Sequence, residues 1–291
     1  MPVIVGAPRS GTTLLRFMLD SHPDLAIPPE TGFLVLGADP SLRREGATRE
    51  EFFSAITRFP EDSPAWQDFG IPADLFRAEL ERIEPFRAPD AYRAFYRLYA
   101  ERMGKSRWGD KTPTYCLHME TIRDLLPEAH FLHIIRDGRD VALSLRQTWF
   151  SPGPDMKSQA LLWQNCVLSA REQAQRCPAY MEVRYEELIQ APRPALEAVC
   201  RFLSLEFHSS MLSYFTRVPE RLKEHRARLR VDGSVVVTRE QRLRQQHLTA
   251  RPPDRSRVFA WRQTMTRRER IEFERFAGEG LRACGYALAE D

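Results

Sequence analysis

No apolar run in this 291-residue chain approaches the ~20 residues that a bilayer-spanning helix needs, and the mean hydropathy is −0.46. That excludes a membrane-spanning helix. Cysteine is scarce and unpatterned. The five residues (Cys116, Cys166, Cys177, Cys200 and Cys284) are odd in number and never in C-x-x-C spacing, which argues against a disulfide scaffold or a structural zinc site and fits a reducing cytoplasm. The opening Met1-Pro2-Val3-Ile4-Val5-Gly6 has no basic region or cleavage site, so no signal peptide is expected and a cytoplasmic location is. No His/Asp/Glu cluster stands at metal-ligand spacing, so the expected site is metal-free. Internal repeats and low-complexity tracts are also missing.

Lysine is almost absent. The 43 basic residues include only Lys105, Lys111, Lys157 and Lys223, which leaves 39 arginines. The net charge is +3, but residues 217–270 hold 16 basic and 6 acidic side chains. Such a stretch suits an anionic ligand, an acidic partner or nucleic acid, or forms a solvated basic face.

Val3-Ile4-Val5 reads as a buried strand, and Leu14, Leu15, Met18 and Leu19 give the following segment the spacing of a helix that His22-Pro23 stops. Residues 39–105 read as short helices cut by prolines and carry 11 aromatics. They form either an acceptor pocket or lid, or ordinary core. Phe131–Ile135 and Tyr180–Arg184 read as strands. Thr114–Leu126, Val141–Trp149 and Pro154–Cys177 read as helices. Thr266-x-x-Glu269 is a capping box opening a last helix that ends at Cys284-Gly285. The polar residues 231–257 read as a mobile loop. Strands alternating with helices imply right-handed crossovers and a parallel sheet.

Gly6-Ala7-Pro8-Arg9-Ser10-Gly11-Thr12-Thr13 lies between the first strand and helix, where backbone N–H groups cradle a phosphate. Gly6 and Gly11 have Walker A spacing, but Thr12 stands where a nucleoside-triphosphate enzyme has its lysine. The loop instead offers Arg9, Ser10 and two threonine hydroxyls to an anion. A second candidate is Ile135-Arg136-Asp137-Gly138-Arg139-Asp140, with Ser144 on the helix that follows. Arginine grips phosphate through two parallel hydrogen bonds. The alternative for Arg136-Asp137 is a salt bridge that closes the turn.

Pro8-Arg9-Ser10-Gly11-Thr12-Thr13-Leu14 resembles the 5′-phosphosulfate loop of sulfotransferases that use 3′-phosphoadenosine 5′-phosphosulfate (PAPS). Arg136 and Ser144 with their flanks resemble the 3′-phosphate motif of the same family. Pro29-Glu30-Thr31 is similar to the catalytic-base region of the tyrosylprotein sulfotransferases and their bacterial relatives. Gly109-Asp110-Lys111-Thr112-Pro113 is similar to their lysine turn, and Val183–Leu188 to a cofactor-side segment. The likeness covers about residues 2–36, 105–149 and 180–190, and more loosely 255–288. One departure is that Thr148 stands where the tyrosylprotein enzymes carry a second arginine, a place that Arg146 or the basic segment would fill.

The resemblance implies an α/β fold, a P-loop NTPase-like parallel sheet flanked by helices on both faces with helical insertions, in one domain over 1–291, with 39–105 as the aromatic insertion and 217–265 as a basic lid. It implies transfer of a sulfuryl group from PAPS to an acceptor hydroxyl on a peptide tyrosine, sugar, lipid or small metabolite, without metal or nucleic acid. Glu30 is then the general base, and Lys111 and Arg9 stabilise the leaving phosphate. Arg9, Ser10, Gly11, Thr12, Thr13, Arg136, Ser144, Tyr185 and Arg257 bind the nucleotide, with Arg255 as an alternative to Arg257 and Trp261 as the anchor of the segment. Each has a plainer alternative. Glu30 is also placed to favour a helix dipole, and Tyr185 to pack rather than stack on adenine. Lys111 is otherwise a surface lysine. His22 and His133 read as structural. A small-molecule kinase with a degenerate loop, or a nucleic-acid-binding protein, are the competing functions.

Overall fold

A computed structural model describes residues 1–39 and 48–289. Its first strand, β1 (Pro2–Val5), enters the phosphate loop directly, and α1 (Thr12–Asp20) leaves it. After the short β2 (Leu25–Ala26), the insertion supplies α2 (Arg49–Thr57), α3 (Ala73–Glu81) and α4 (Ala88–Arg102). Then come β3 (Arg107–Trp108), β4 (Asp110–Lys111), α5 (Met119–Leu125), β5 (His130–Ile135), α6 (Gly138–Leu145), α7 (Met156–Ala174) and β6 (Tyr180–Arg184). The chain continues through α8 (Tyr185–Gln190), α9 (Pro192–Phe202) and α10 (Val218–Arg221). The hairpin β7 (Arg228–Leu229) and β8 (Val235–Val237) follows, then α11 (Arg239–Gln246), α12 (Trp261–Thr264) and α13 (Arg267–Ala283).

The main sheet is parallel throughout, in the order β4-β1-β5-β6. Side chains alternate across it, as the strand period requires. Val3, Val5, Phe131 and Ile135 pack on one face with α5, α7 and α13, while Ile4, Leu132 and Ile134 pack on the other with α1, α8 and α9. Both faces are therefore covered, which explains why β1 is apolar throughout and β5 largely so. β1 and β5 are neighbours, so the two candidate anion loops leave the carboxyl ends of adjacent strands. Open parallel sheets bind ligands at that edge.

The aromatic residues between 48 and 105 are core, packed together with Phe33. Phe33, Phe52, Phe69, Phe76, Tyr92, Phe95 and Tyr96 are buried in one cluster of stacked and edge-on rings. The part of the insertion between residues 40 and 47 lies outside the described residues. The capping box at Thr266 and Glu269 is formed as the spacing predicts.

Three expectations are corrected. Residues 114–126 are not one helix: a 3-10 turn, Pro113–Leu117, is separated from α5 by His118 at φ −137°. Helix α6 starts three residues before Val141, because the Asp137 side chain accepts from Arg139 N, and it ends at Leu145. Residues 231–257 are built rather than a bare loop. They contain β8, a helix opened by a capping box between Thr238 and Gln241, and two further 3-10 turns. A buried carboxylate, Asp68, ties this region to the insertion by accepting from Arg242 at 3.1 and 2.7 Å and from the Arg226 backbone N–H at 3.0 Å. Among the described residues, no helix is long and apolar enough to cross a membrane.

Candidate active site

The phosphate loop needs two glycines for distinct reasons. Gly6 has φ +146°, and a Cβ there would lie 2.5 Å from the Ile134 carbonyl oxygen. Gly11 has φ +102°, and its Cβ would lie 2.5 Å from the Tyr185 ring. Arg9 sits between them at φ +72°, a left-handed conformation that costs a non-glycine residue energy and is characteristic of functional loops. The loop ends at α1, whose N-terminus has no side-chain cap and no acidic residue in its first turn. Its free N–H groups and dipole are available to an anion.

The side chains converge on this point. Arg9 Nε donates to Ser144 Oγ at 3.1 Å and Arg9 Nη1 to the Gln245 carbonyl at 3.5 Å. Arg136 Nη1 donates to the Arg9 carbonyl at 3.3 Å and Nη2 to the Arg257 carbonyl at 2.9 Å, and its guanidinium lies 4.4 Å from the Tyr185 ring centre. The turn-closing salt bridge is made by the neighbour instead. Asp137 pairs with Arg139 at 2.8 Å and also accepts from Trp261 Nε1 at 3.0 Å. Arg136 has only the longer 3.7 Å approach to Asp140. Burial, and after it the like charge of Arg136, lowers the Arg9 pKa.

A cavity of about 660 Å³ opens over this cluster. Arg9, Gly11, Thr12, Thr13, Arg136, Ser144, Tyr185 and Arg257 all line it, so eight of the nine expected nucleotide residues meet there. The ninth, Ser10, is buried with an unpartnered Oγ, as is Arg136 Nε. Two orphaned donors and an uncapped helix N-terminus suit a phosphate-bearing ligand. Tyr185 packs on Gly11 and also lines the cavity. Trp261 is buried and fastens the basic segment to Asp137 and Asp140. Arg255 does not reach the cavity; it donates to the Gln190 carbonyl at 3.1 Å. Arg146 lines the cavity but is paired with Glu269 at 2.5 Å. Arg244 of α11 also lines it. Nothing in the sequence singled out Arg244 among the arginines of its segment.

Glu30 and Lys111 form an ion pair beside the cavity, not within its lining. Lys111 is 3% exposed, so it is not a surface lysine, while the Glu30 side chain is 52% exposed. The surrounding protein takes part of the water from the half-exposed Glu30 carboxylate and so opposes its charge, but Lys111, helped by Arg242 and Arg16, holds its pKa below the ordinary value. Burial lowers the Lys111 pKa despite Glu30. Arg9 feels the Glu30 charge as well, so the three residues expected to do chemistry share one electrostatic neighbourhood. Glu30 is not a dipole-facing carboxylate, since it precedes the cap of a short 3-10 turn by two residues and binds Lys111 instead. His22 and His133 are structural. The first bridges the Glu206 carbonyl and the Asp24 N–H; the second is buried, meets the Tyr180 hydroxyl at 2.7 Å, and is lowered by burial to about 4. Sequence reasoning missed Arg16, buried on α1 with Nε donating to the Ile27 carbonyl and Nη2 3.6 Å from Glu224. An arginine on the apolar face of a helix was the available signal. Among the described residues, no group of three or more His, Cys, Asp or Glu could hold a metal ion.

A family model described as the sulfotransferase family matches residues 3–209. The chain is similar to the nodulation protein NoeE of Sinorhizobium fredii, at 29% identity over 67% of this chain and 48% of that protein. It is also similar to a putative protein-tyrosine sulfotransferase of Caenorhabditis briggsae, at 28% identity over 72% of this chain and 67% of that one. It therefore spans about half the length of the first relative and two thirds of the second. Among solved structures it resembles the sulfotransferase domain from the curacin biosynthetic pathway, with a TM-score of 0.64 and 19% identity over 99% of this chain and 98% of that one. It also resembles a mouse sulfotransferase complexed with PAP, with a TM-score of 0.51 and 17% identity over 97% and 83%. At these identities the shared property is the fold.

Proposed function

This chain belongs to the sulfotransferase family, and on that premise we propose that it moves a sulfuryl group from PAPS to an acceptor hydroxyl. The observation that carries the reading is the convergence of two anion loops on one cavity, with the Glu30–Lys111 pair at its side. Arg9, Ser10, Gly11, Thr12, Thr13 and the α1 N-terminus would hold the 5′-phosphate. Arg136 and Ser144 would hold the 3′-phosphate, Tyr185 would face the base, and Arg257 would close the site. PAPS supplies the activated sulfuryl group when bound.

The chain's own groups supply positioning and charge. Glu30 is kept ionised by Lys111 and so can accept the acceptor's proton, a contribution of about 10²–10⁴-fold. Lys111 and Arg9 offset negative charge that grows on the leaving phosphate. The Glu30–Lys111 ion pair must open or be shared for both groups to act, so it sets the resting geometry. The acceptor is a hydroxyl of a peptide tyrosine, sugar, lipid or small metabolite.

The test is to incubate the protein with [³⁵S]PAPS and a lysate of its native host and to identify the labelled species. Wild type should transfer label, and Glu30→Gln should transfer it roughly 10²-fold more slowly or worse while binding the bisphosphate product normally. Equal labelling by both proteins would remove Glu30 from the chemistry; no labelled species with wild type would count against the reading as a whole.

A further inference from the structure

The segment that carries Glu30 is stapled to the strand that carries Lys111 through a buried polar relay. Asp110 is fully buried on β4, where it pairs with Val3 of β1. Its Oδ2 accepts from Thr31 Oγ1 at 2.6 Å and from the Tyr96 hydroxyl at 2.7 Å. Thr31 Oγ1 also lies 2.8 Å from the Tyr115 hydroxyl, which accepts from Leu34 N at 2.9 Å. The donors run in one direction, from Leu34 N–H to Tyr115, from Tyr115 to Thr31, and from Thr31 to Asp110. Consecutive residues thus make consecutive bridges, Glu30 to Lys111 and Thr31 to Asp110. Neighbouring side chains on a strand point opposite ways, so Asp110 and Lys111 of β4 hold Thr31 and Glu30 from two directions.

We propose that Asp110 is the positioning residue of this site, its carboxylate holding Thr31 so that Glu30 and Lys111 meet in a single geometry. The inference rests on the sulfotransferase reading only for the meaning of that pair. Two hydroxyl donors converging on one buried carboxylate oxygen, Oδ2, restrict the groups they join to one arrangement, while Asp110 Oδ1 is buried without a hydrogen-bond partner. The aromatic insertion takes part, because Tyr96 comes from α4, so residues that look like core filling also brace the chemistry. Asp110 also acts by charge. It lies among Thr31, Tyr96, Thr112 and Tyr115 and within electrostatic reach of Lys111, on which Glu30 and Arg16 also act, and its field favours the Lys111 ammonium. Burial itself pushes the Asp110 carboxyl above the ordinary range, opposed by the Thr31 and Tyr96 hydroxyls.

The scarcity of lysine supplies a test that needs neither donor nor acceptor. With four lysines in the chain, [¹³C-ε]lysine labelling gives four NMR signals, assigned by single substitutions. In wild type the Lys111 signal should be single and should titrate below an ordinary lysine. In Asp110→Asn and Thr31→Val it should move, with its midpoint lowered by about half a pH unit or more, while Lys105, Lys157 and Lys223 stay in place. Thr31→Ser should restore the wild-type signal. If Asp110→Asn does not fold, Thr31→Val and Tyr96→Phe carry the test. A Lys111 signal that superimposes on wild type in all the folded variants would overturn the proposal. Because nothing is transferred in this measurement, its failure is separate from a failure of the sulfotransferase reading, which would show as absent PAPS-dependent labelling.

Discussion

His225 shows how one residue can report on the surrounding charge. It is buried beside Arg242, whose Nη2 lies 3.0 Å from its Nδ1, and it feels Arg16, Lys111 and Arg228 as well. Burial first, then these cations, push its pKa down to about 2. The imidazole is therefore neutral in the folded state, while the unfolded chain takes up a proton near pH 6.5. The unfolded state then binds more protons below that value, and His225 costs stability progressively as the pH falls from about 6.5 toward 2. Between pH 7.5 and 5 this one group should remove about 2 kcal/mol. In urea unfolding, His225→Asn should lose correspondingly less stability than wild type on acidification. Equal losses would show that the residue is not held neutral. At this scale the sequence singled out Glu30, Lys111, Arg9 and Arg136 because each stands in a local motif, and the structure places Arg9 and Arg136 at the cavity and Glu30 against Lys111. It was silent on His225, Arg16 and Asp110, whose roles depend on partners such as Arg242 and Glu224, or on Tyr96 from another part of the fold.

Among the elements, the basic segment differs most from its reading in the sequence. Polar composition and Pro252-Pro253 suggested a bare mobile loop, yet a hairpin and a capped helix are present. The ties that order them are long-range: Arg228 and Arg242 to Asp68, and Arg221 to Asp20. No window along the chain contains both partners. The strands and long helices were legible because apolar periodicity is local, and the capping box at Thr266 because it is four residues long. Several arginines of this segment turn inward to buried carboxylates, which weakens its reading as a nucleic-acid surface. The structure also separates two candidates that the sequence left open. Arg257 lines the cavity and Arg255 holds the Gln190 carbonyl. Calorimetric titration with adenosine 3′,5′-bisphosphate should find Arg257→Ala weaker by about 1.5–3 kcal/mol, the worth of a charged hydrogen bond, with Arg255→Ala unchanged. If both variants bind like wild type, the contact that Thr148 cannot supply comes from elsewhere, with Arg244 the next cavity-lining arginine to replace.

Across the whole molecule, strand order does what separate motifs cannot. Two candidate anion loops about 130 residues apart in sequence meet because β1 and β5 are hydrogen-bonded neighbours. The Lys111 strand, β4, flanks β1 on its other side. The motifs made this meeting expected, but only the topology brings Arg9 Nε to 3.1 Å from Ser144 Oγ. On the proposed function this cavity grips both ends of one nucleotide. Melting the protein with adenosine 3′,5′-bisphosphate and with AMP, for wild type and Arg136→Ala, separates the two ends. A bisphosphate concentration of 100 Kd should add about 2.7 kcal/mol. AMP at the same concentration should add much less, and Arg136→Ala should erase most of the difference. Equal melting shifts from the two nucleotides in wild type would contradict the account, for they would leave Arg136 and Ser144 without a phosphate to hold.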